Sequence, residues 1–246
     1  MPTLLFYHRP ITLNREAHRN LKVRGVPSFG YAAGTNSVPL TGNEFAAAAR
    51  QLPILFVSDA TQQPSPIALL GLRRDENMFV EAQGRWSGNY IPAFIRRYPF
   101  VLVEKNVPDD YMVGIDEAYP GFNTEEGDPM FAEDGTEAPA LKRAIEFLNS
   151  YRADATRTRD FAAHLKRLDL LIPRVINVAL KDGSKYTLDG FSVVDEARVA
   201  KLDDREAGNL LRSGYLGWIF MHLLSIDNIA DLSARLDPRI EVKKSA

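Results

Sequence analysis

Ile176-Asn177-Val178-Ala179-Leu180-Lys181-Asp182-Gly183-Ser184-Lys185-Tyr186-Thr187-Leu188 is the stretch on which the fold assignment turns. Ile176, Val178 and Leu180 alternate with Asn177, Ala179 and Lys181, and Tyr186 and Leu188 resume the alternation. A period of two marks a strand with one buried face. Asp182-Gly183 tolerates left-handed backbone, so the spacing predicts a hairpin closed by a two-residue turn. Antiparallel pairing of this kind points to an α+β fold.

Outward from the hairpin the period changes. Upstream, Leu141, Ala144, Ile145, Leu148 and Tyr151 fall on one helical face, and Phe161, Leu165, Leu168 and Leu171 repeat the theme until Pro173 ends it. Downstream, a helix is expected from Asp195, another capped by Asp203-Asp204-Arg205-Glu206, a buried one over Tyr215–Leu224 and a short final one over Asp227–Leu236, then a frayed tail. Nearer the N-terminus, Pro53–Val57, Pro66–Leu72 and Asn77–Glu81 predict an antiparallel meander. A helical turn after Pro92 is stopped by Pro99, and Phe100–Val103 and Met112–Ile115 add strands. Thr41-Gly42-Asn43-Glu44 fits a capping box. The expected class is thus α+β, with an antiparallel meander and hairpins and with helices concentrated in the C-terminal half.

The chain has 246 residues, 45% hydrophobic and 25% charged, with a formal charge of −2. Enough apolar surface is present to offset chain entropy, which excludes wholesale disorder. The balance also argues against a dedicated duplex binder, whose footprint is a basic excess. With no cysteine, disulfides, thiolate catalysis, zinc–thiolate sites and iron–sulfur clusters are excluded. One domain spanning 1–246 is expected, divisible into a strand-rich part (1–105, net +5), an acidic excursion (106–140, net −10) and a helix-rich part with the hairpin (141–240). The acidic stretch, rich in Gly and Pro, reads as a solvated surface loop, and 128–135 lacks the alternation of an EF-hand. The apolar run Tyr215–Leu224 is shorter than the roughly 20 residues of a bilayer span, so no transmembrane segment is expected. No signal peptide is legible at the N-terminus, so a cytoplasmic location is expected, with signal-peptide-independent export to the cell surface as the alternative.

Motifs of covalent chemistry are missing. His8, His18, His164 and His222 form no His-Glu-x-x-His pattern, so no metal site is expected. No nucleophile elbow, P-loop or dinucleotide fingerprint occurs, and no cofactor is implied. Glu44 is better explained by the capping box than as a general base. His222 inside an apolar helix reads as a buried neutral imidazole. What stands out is a recognition-rich segment: Arg73, Arg74, Asn77, Arg85, Trp86, Asn89, Tyr90, Arg96, Arg97 and Tyr98. Arginine and aromatic side chains dominate interface hot spots. Of these, Arg74, Asn77, Arg85, Trp86, Tyr90, Arg96 and Arg97 are the binding candidates, for a protein or peptide partner. The alternative is structural: Trp86 and Tyr90 as core, Arg96 or Arg97 paired with the acidic stretch. Nucleic acid is not expected, given the negative charge.

Several short segments, in shared order, resemble the SapC family of bacterial proteins. They are Leu13-Asn14-Arg15-Glu16 with His18, Val38-Pro39-Leu40 leading to Glu44-Phe45, Pro53–Val57, Leu70-Gly71-Leu72 with Glu76–Val80, Gly84-Arg85-Trp86, Tyr90–Phe94 and Arg96–Phe100. Later, Asp189-Gly190-Phe191, Val194-Asp195-Glu196 and His222–Ile226 also fit. The resemblance runs from about Tyr7 to Leu236. It implies an association with bacterial surface layers, and gene neighbours of the family suit an accessory role in nutrient uptake. It carries over no catalytic residue and no cofactor. The permease component of the same name is a different protein. The resulting expectation is a non-enzymatic accessory or binding protein, with an envelope-associated partner. The alternatives are an enzyme whose pocket joins distant groups such as His18, Glu44 and His222, and a structural surface-layer subunit.

Overall fold

The computed structural model describes residues 4–25, 28–105, 110–179 and 183–244, with side chains described as far as Leu236. In chain order the strands are β1 (Pro10–Thr12), β2 (Lys22–Val23), β3 (Ser37–Pro39), β4 (Ile54–Ser58), β5 (Pro64–Leu69), β6 (Phe100–Glu104), β7 (Tyr111–Asp116), β8 (Phe122–Asn123), β9 (Asp128–Pro129), β10 (Leu171–Ala179) and β11 (Lys185–Val194). The helices are α1 (Phe45–Ala48), α2 (Ala93–Arg96), α3 (Pro139–Arg167), α4 (Glu196–Val199), α5 (Asp204–Ser213), α6 (Tyr215–Ser225) and α7 (Asn228–Lys244). Every strand pair is antiparallel. The class is α+β, with the longer helices in the C-terminal half, as the sequence predicts.

Five strands form the main sheet in the order β10-β11-β4-β5-β3, and two three-stranded sheets are ordered β1-β7-β6 and β8-β2-β9. Helix α3 joins them. At 1.5 Å per residue its 29 residues span about 43 Å. Its C-terminal half sends Phe161, Ala162 and Leu165 into the main core, while Leu141 near its start packs with Met130 and Phe131. The Phe161 ring lies 5.2 Å from both Tyr215 and Trp218 and 6.1 Å from Phe45 and Phe56. Such edge-on and tilted contacts add to area burial. A second aromatic group, Tyr7, Tyr98 and Tyr119, fills the space behind β6 and β7.

The structure corrects several expectations. The two helical segments are one continuous helix, and it stops at Arg167; Pro173 lies inside β10, opposite Ser192. Asn77–Glu81 is not a strand. Its Asn77 side chain donates to the Ala32 carbonyl at 3.1 Å and accepts from Phe79 N at 3.0 Å, so it serves backbone that has left the ladder. Strand β5 begins two residues early and ends at Leu69, because Leu70 N turns to the Asn36 carbonyl. The final helix runs on to Lys244. Nor is 106–140 only a solvated loop: it carries β7, β8 and β9, and Asp116 is fully buried.

The hairpin is present, but the register of its strands differs from the one a two-residue turn sets. Val178 lies opposite Tyr186 and Ile176 opposite Leu188. A two-residue turn at Asp182-Gly183 would place Val178 opposite Thr187. Leu180, Lys181 and Asp182 lie outside the described residues; Gly183 has φ +85°. A bulge in β11, where Asp189 and Gly190 face the single residue Val175, shifts the register, and Val175 on the border strand is 61% exposed.

Gly42 marks a close approach of backbone to core. A Cβ there would lie 2.3 Å from the Trp218 ring. Gly42→Ala is therefore expected to lose about 1–3 kcal/mol of stability through overpacking, read as a lower urea midpoint.

Candidate functional site

One buried carboxylate organises the site. Helix α2 is a single turn, too short to hold itself together. Glu44, 7% exposed, supplies the anchor. Its Oε2 accepts from Thr41 N and Thr41 Oγ1, both at 2.9 Å, which closes the expected capping box. Its Oε1 accepts from the Tyr90 hydroxyl at 2.8 Å and from Ala93 N, the first amide of α2, at 2.7 Å. Burial, and then the Glu44 charge, push the Tyr90 hydroxyl well above the usual phenol range. Four donors thus converge on one carboxylate, and they fix where α2 begins.

Where α2 ends, Arg96 and Arg97 enter a cleft of about 310 Å³. Its far wall is a stripe of α3: Ala140, Arg143, Ala144, Phe147 and Leu148, at i, i+3, i+4, i+7 and i+8. The two alanines open the space, and Phe100, Tyr119 and Arg24 close it. Arg96 Nε donates to the Ile91 carbonyl at 2.9 Å, and its guanidinium lies 5.1 Å from the Phe147 ring centre. Arg97 lies 3.9 Å from the Phe94 centre and 5.4 Å from that of Tyr151. Its Nε is buried without a hydrogen-bond acceptor among the described residues. Cation–π attraction holds such a guanidinium by its face and supplies no acceptor to the Nε–H.

Charge is unevenly balanced around the cleft. Arg24 meets Glu126 at 3.5 Å and Arg143 meets Asp128 at 3.2 Å, with every partner more than half exposed. Exposed pairs of this kind are weak and readily exchanged. Among the described residues neither Arg96 nor Arg97 makes an ion pair with the acidic stretch; Asp109 of that stretch lies outside them.

The wall at Tyr98 is held from behind. Its hydroxyl donates to Asp116 Oδ2 at 3.0 Å, and its ring stacks on Tyr31 at 4.2 Å. Asp116 also accepts from His8 N at 3.1 Å and Arg9 N at 2.8 Å. Burial pushes the Asp116 carboxyl up, but these donors outweigh it and hold it below the usual carboxylate range. Burial pushes the Tyr7 hydroxyl up while the Arg97 charge pulls the other way, which places that charge beside the tyrosine group.

The other sequence candidates lie elsewhere or are used internally. Asn77 is 2% exposed and bound to backbone. Trp86 stacks on Phe79 at 5.5 Å and donates through Nε1 to the Tyr90 carbonyl at 3.0 Å. Arg85 pairs with Glu81 on the surface, and Arg74 is exposed. None of these four lines the cleft, whereas Arg96 and Arg97 do. Sequence reasoning missed Arg24, Arg143, Phe147 and Tyr119, which come from three distant segments. The Ala140/Ala144 pair beside Arg143 and Phe147 was the available signal, one stripe round from the apolar face already recognised.

The groups considered for catalysis are not assembled. His222 is fully buried in α6; its Nδ1 faces the Ile54 carbonyl at 2.8 Å and its Nε2 faces Val194 N at 3.0 Å. A carbonyl needs a donor and an amide an acceptor, which assigns the neutral Nδ1–H tautomer. The register Ser192 opposite Phe56 sets Val194 opposite Ile54. The imidazole therefore stands between two residues that would otherwise face each other across the ladder. Desolvation pushes it down to about 4. His18 Nδ1 bonds within its own turn, to Asn14 N at 2.8 Å. His18 is thus held within its own turn, while Glu44 and His222 are each occupied by partners from distant segments, and no two of the three bond to each other. Among the described residues no group of three or more His, Asp or Glu is placed to hold a metal, and no helix is long and apolar enough to cross a membrane.

Fold and cleft together define an α+β protein of three antiparallel sheets joined by one long helix, with a basic, aromatic-walled cleft at the helix's N-terminal half. The SapC family model matches residues 13–232, nearly the whole chain, and the chain belongs to the SapC family. No curated protein and no solved structure matches it.

Proposed function

We propose that this SapC-family chain is a non-enzymatic accessory protein of the bacterial surface or of nutrient uptake, and that it binds a protein or peptide partner through the cleft at Arg96 and Arg97. The observation that carries this reading is the contrast in how polar side chains are used. Glu44, Asp116 and His222 are each occupied by backbone and hydroxyl partners. Arg96 and Arg97 instead line a cleft with aromatic walls, and neither has a carboxylate partner among the described residues. Directed charge beside aromatic surface is the chemistry of recognition hot spots.

The test is a comparison of two variants in partner capture from the bacterium's own envelope and cytoplasmic fractions, followed by titration of the captured partner after purification. Arg96→Ala with Arg143→Ala is expected to weaken binding at least about tenfold. Arg74→Ala with Arg85→Ala, outside the cleft, is expected to leave it unchanged. Equal binding by the folded cleft variant would overturn the assignment of the site, and turnover of a metabolite by pure protein would overturn the non-enzymatic reading.

A further inference from the structure

Among the described residues the cleft is lined by four arginines and a single acidic residue, Asp128. Arg97 belongs to the interior: its guanidinium packs on Phe94 and Tyr151, beside the Tyr7 hydroxyl. Arg24, Arg96 and Arg143 are exposed. Arg96 has no carboxylate partner among the described residues. Arg24 and Arg143 each make one contact, Nη1 to Glu126 Oε2 at 3.5 Å and Nη2 to Asp128 Oδ2 at 3.2 Å. By contrast Arg167 grips Glu206 with two bonds, at 3.2 and 3.1 Å. A guanidinium carries five N–H groups and is strongest when it pairs through two of them, so single contacts leave Arg24 and Arg143 with donors to offer.

The two acidic side chains are not what holds their own loop. Asn123 Oδ1 accepts from Glu125 N at 2.8 Å and Glu126 N at 2.6 Å, Lys22 Nζ donates to the Glu125 carbonyl at 2.9 Å, and β9 pairs with β2. Glu126 and Asp128 therefore bring charge to the arginines from a loop already fixed by its backbone. Exposed pairs of this kind exchange readily for a better-matched acid. Beside the charges lies apolar surface: Arg96 is 5.1 Å from the Phe147 ring centre, and Arg143 is one helical turn before Phe147.

Resting on the reading of the cleft as a partner site, we infer that it takes an acidic segment of the partner protein, with carboxylates next to an apolar side chain, and that Glu126 and Asp128 compete with that segment for Arg24 and Arg143. The groups already seated on these arginines are carboxylates, which favours aspartate or glutamate over phosphate. The full chain is titrated with N-acetyl-Glu-Phe-Glu amide, with N-acetyl-Gln-Phe-Gln amide and with inorganic phosphate, followed by chemical-shift changes. The glutamate peptide is expected to bind at least about tenfold more tightly than the glutamine one, since charge-assisted bonds are lost. Glu126→Gln with Asp128→Asn is expected to melt near the wild type and to tighten the glutamate peptide about threefold or more, without effect on the glutamine peptide. Arg96→Ala with Arg143→Ala is expected to erase the difference between the peptides. Equal binding of the two peptides by the wild type, tighter binding of phosphate, or no binding of the glutamate peptide on the order of 10 mM would each overturn the acidic-segment inference, with no variant needed. Unaltered affinity after neutralising Glu126 and Asp128 would overturn the competition. If partner capture depends on Arg96 and Arg143 while the peptides bind alike, the site stands and only the acidic segment falls. If capture ignores those arginines, the site itself falls.

Discussion

His222→Ala is expected to cost about 4 kcal/mol of folding stability, and acidification is expected to remove most of the same contribution from the unaltered protein. The imidazole satisfies the Ile54 carbonyl and the Val194 amide at once. Alanine leaves both buried groups unpaired, at about 1–3 kcal/mol each, and adds a cavity beside Phe56, whose ring centre lies 5.0 Å from the imidazole. The pH dependence follows from the direction of the shift. The folded-state value near 4 lies below the 6.5 of the unfolded chain. Above about pH 6.5 neither state is protonated and the full stability is present. Between 6.5 and 4 the unfolded chain takes up the proton first, so stability falls by about 1.4 kcal/mol per pH unit, to a total near 3 kcal/mol. Urea midpoints from pH 7.5 to 4 for the wild type and His222→Gln check this. The glutamine variant should lose the slope in that window, and a slope as steep as the wild type's would show that another group is responsible.

Glu44→Gln is expected to cost about 2–4 kcal/mol although it changes no volume. Thr41 N, Thr41 Oγ1, Tyr90 Oη and Ala93 N all donate to the carboxylate. An amide can accept at one atom only; its NH₂ would face donors, leaving two buried groups unpaired. Because one of those donors opens α2, the effect extends to the arginines that follow. Hydrogen exchange at the Ala93 amide should accelerate, and partner affinity should drop while Arg96 and Arg97 are still present. Unchanged exchange at Ala93 would detach Glu44 from the cleft.

Much of this architecture is legible in local chemistry. The capping box at Thr41–Glu44, the Asp195 and Asp203 caps and the strand pairs β4–β5 and β6–β7 follow from side chains acting within a few residues of themselves. The hairpin error is instructive because parity could have prevented it. Ile176, Val178, Tyr186 and Leu188 all carry even numbers, so sharing a face requires an odd number of loop residues, and a two-residue turn cannot supply it. The apparent break in α3 arose because an inward position between the two apolar faces is the buried Thr158, whose Oγ1 accepts from Gly42 N at 2.8 Å, so the apolar period lapses while the backbone continues. Asn77 escaped because nothing in its flanking sequence reveals that Ala32 lies above it. For the cleft, adjacent Arg96 and Arg97 were visible, but Arg24, Tyr119 and Arg143 reach it only through tertiary folding. Trp86 and Asn77 resemble recognition residues in composition, yet burial assigns them to the interior.

The borders of the five-stranded sheet have a consequence for assembly. One border, β3, is three residues long and ends at Pro39; the other, β10, carries Pro173 and is bent where the bulge of β11, Asp189 and Gly190, faces the single residue Val175. Missing amide donors and a local kink frustrate the addition of a further strand from a neighbour. A neighbour meeting the main sheet at either border would therefore have to dock through side chains and not by continuing the backbone ladder.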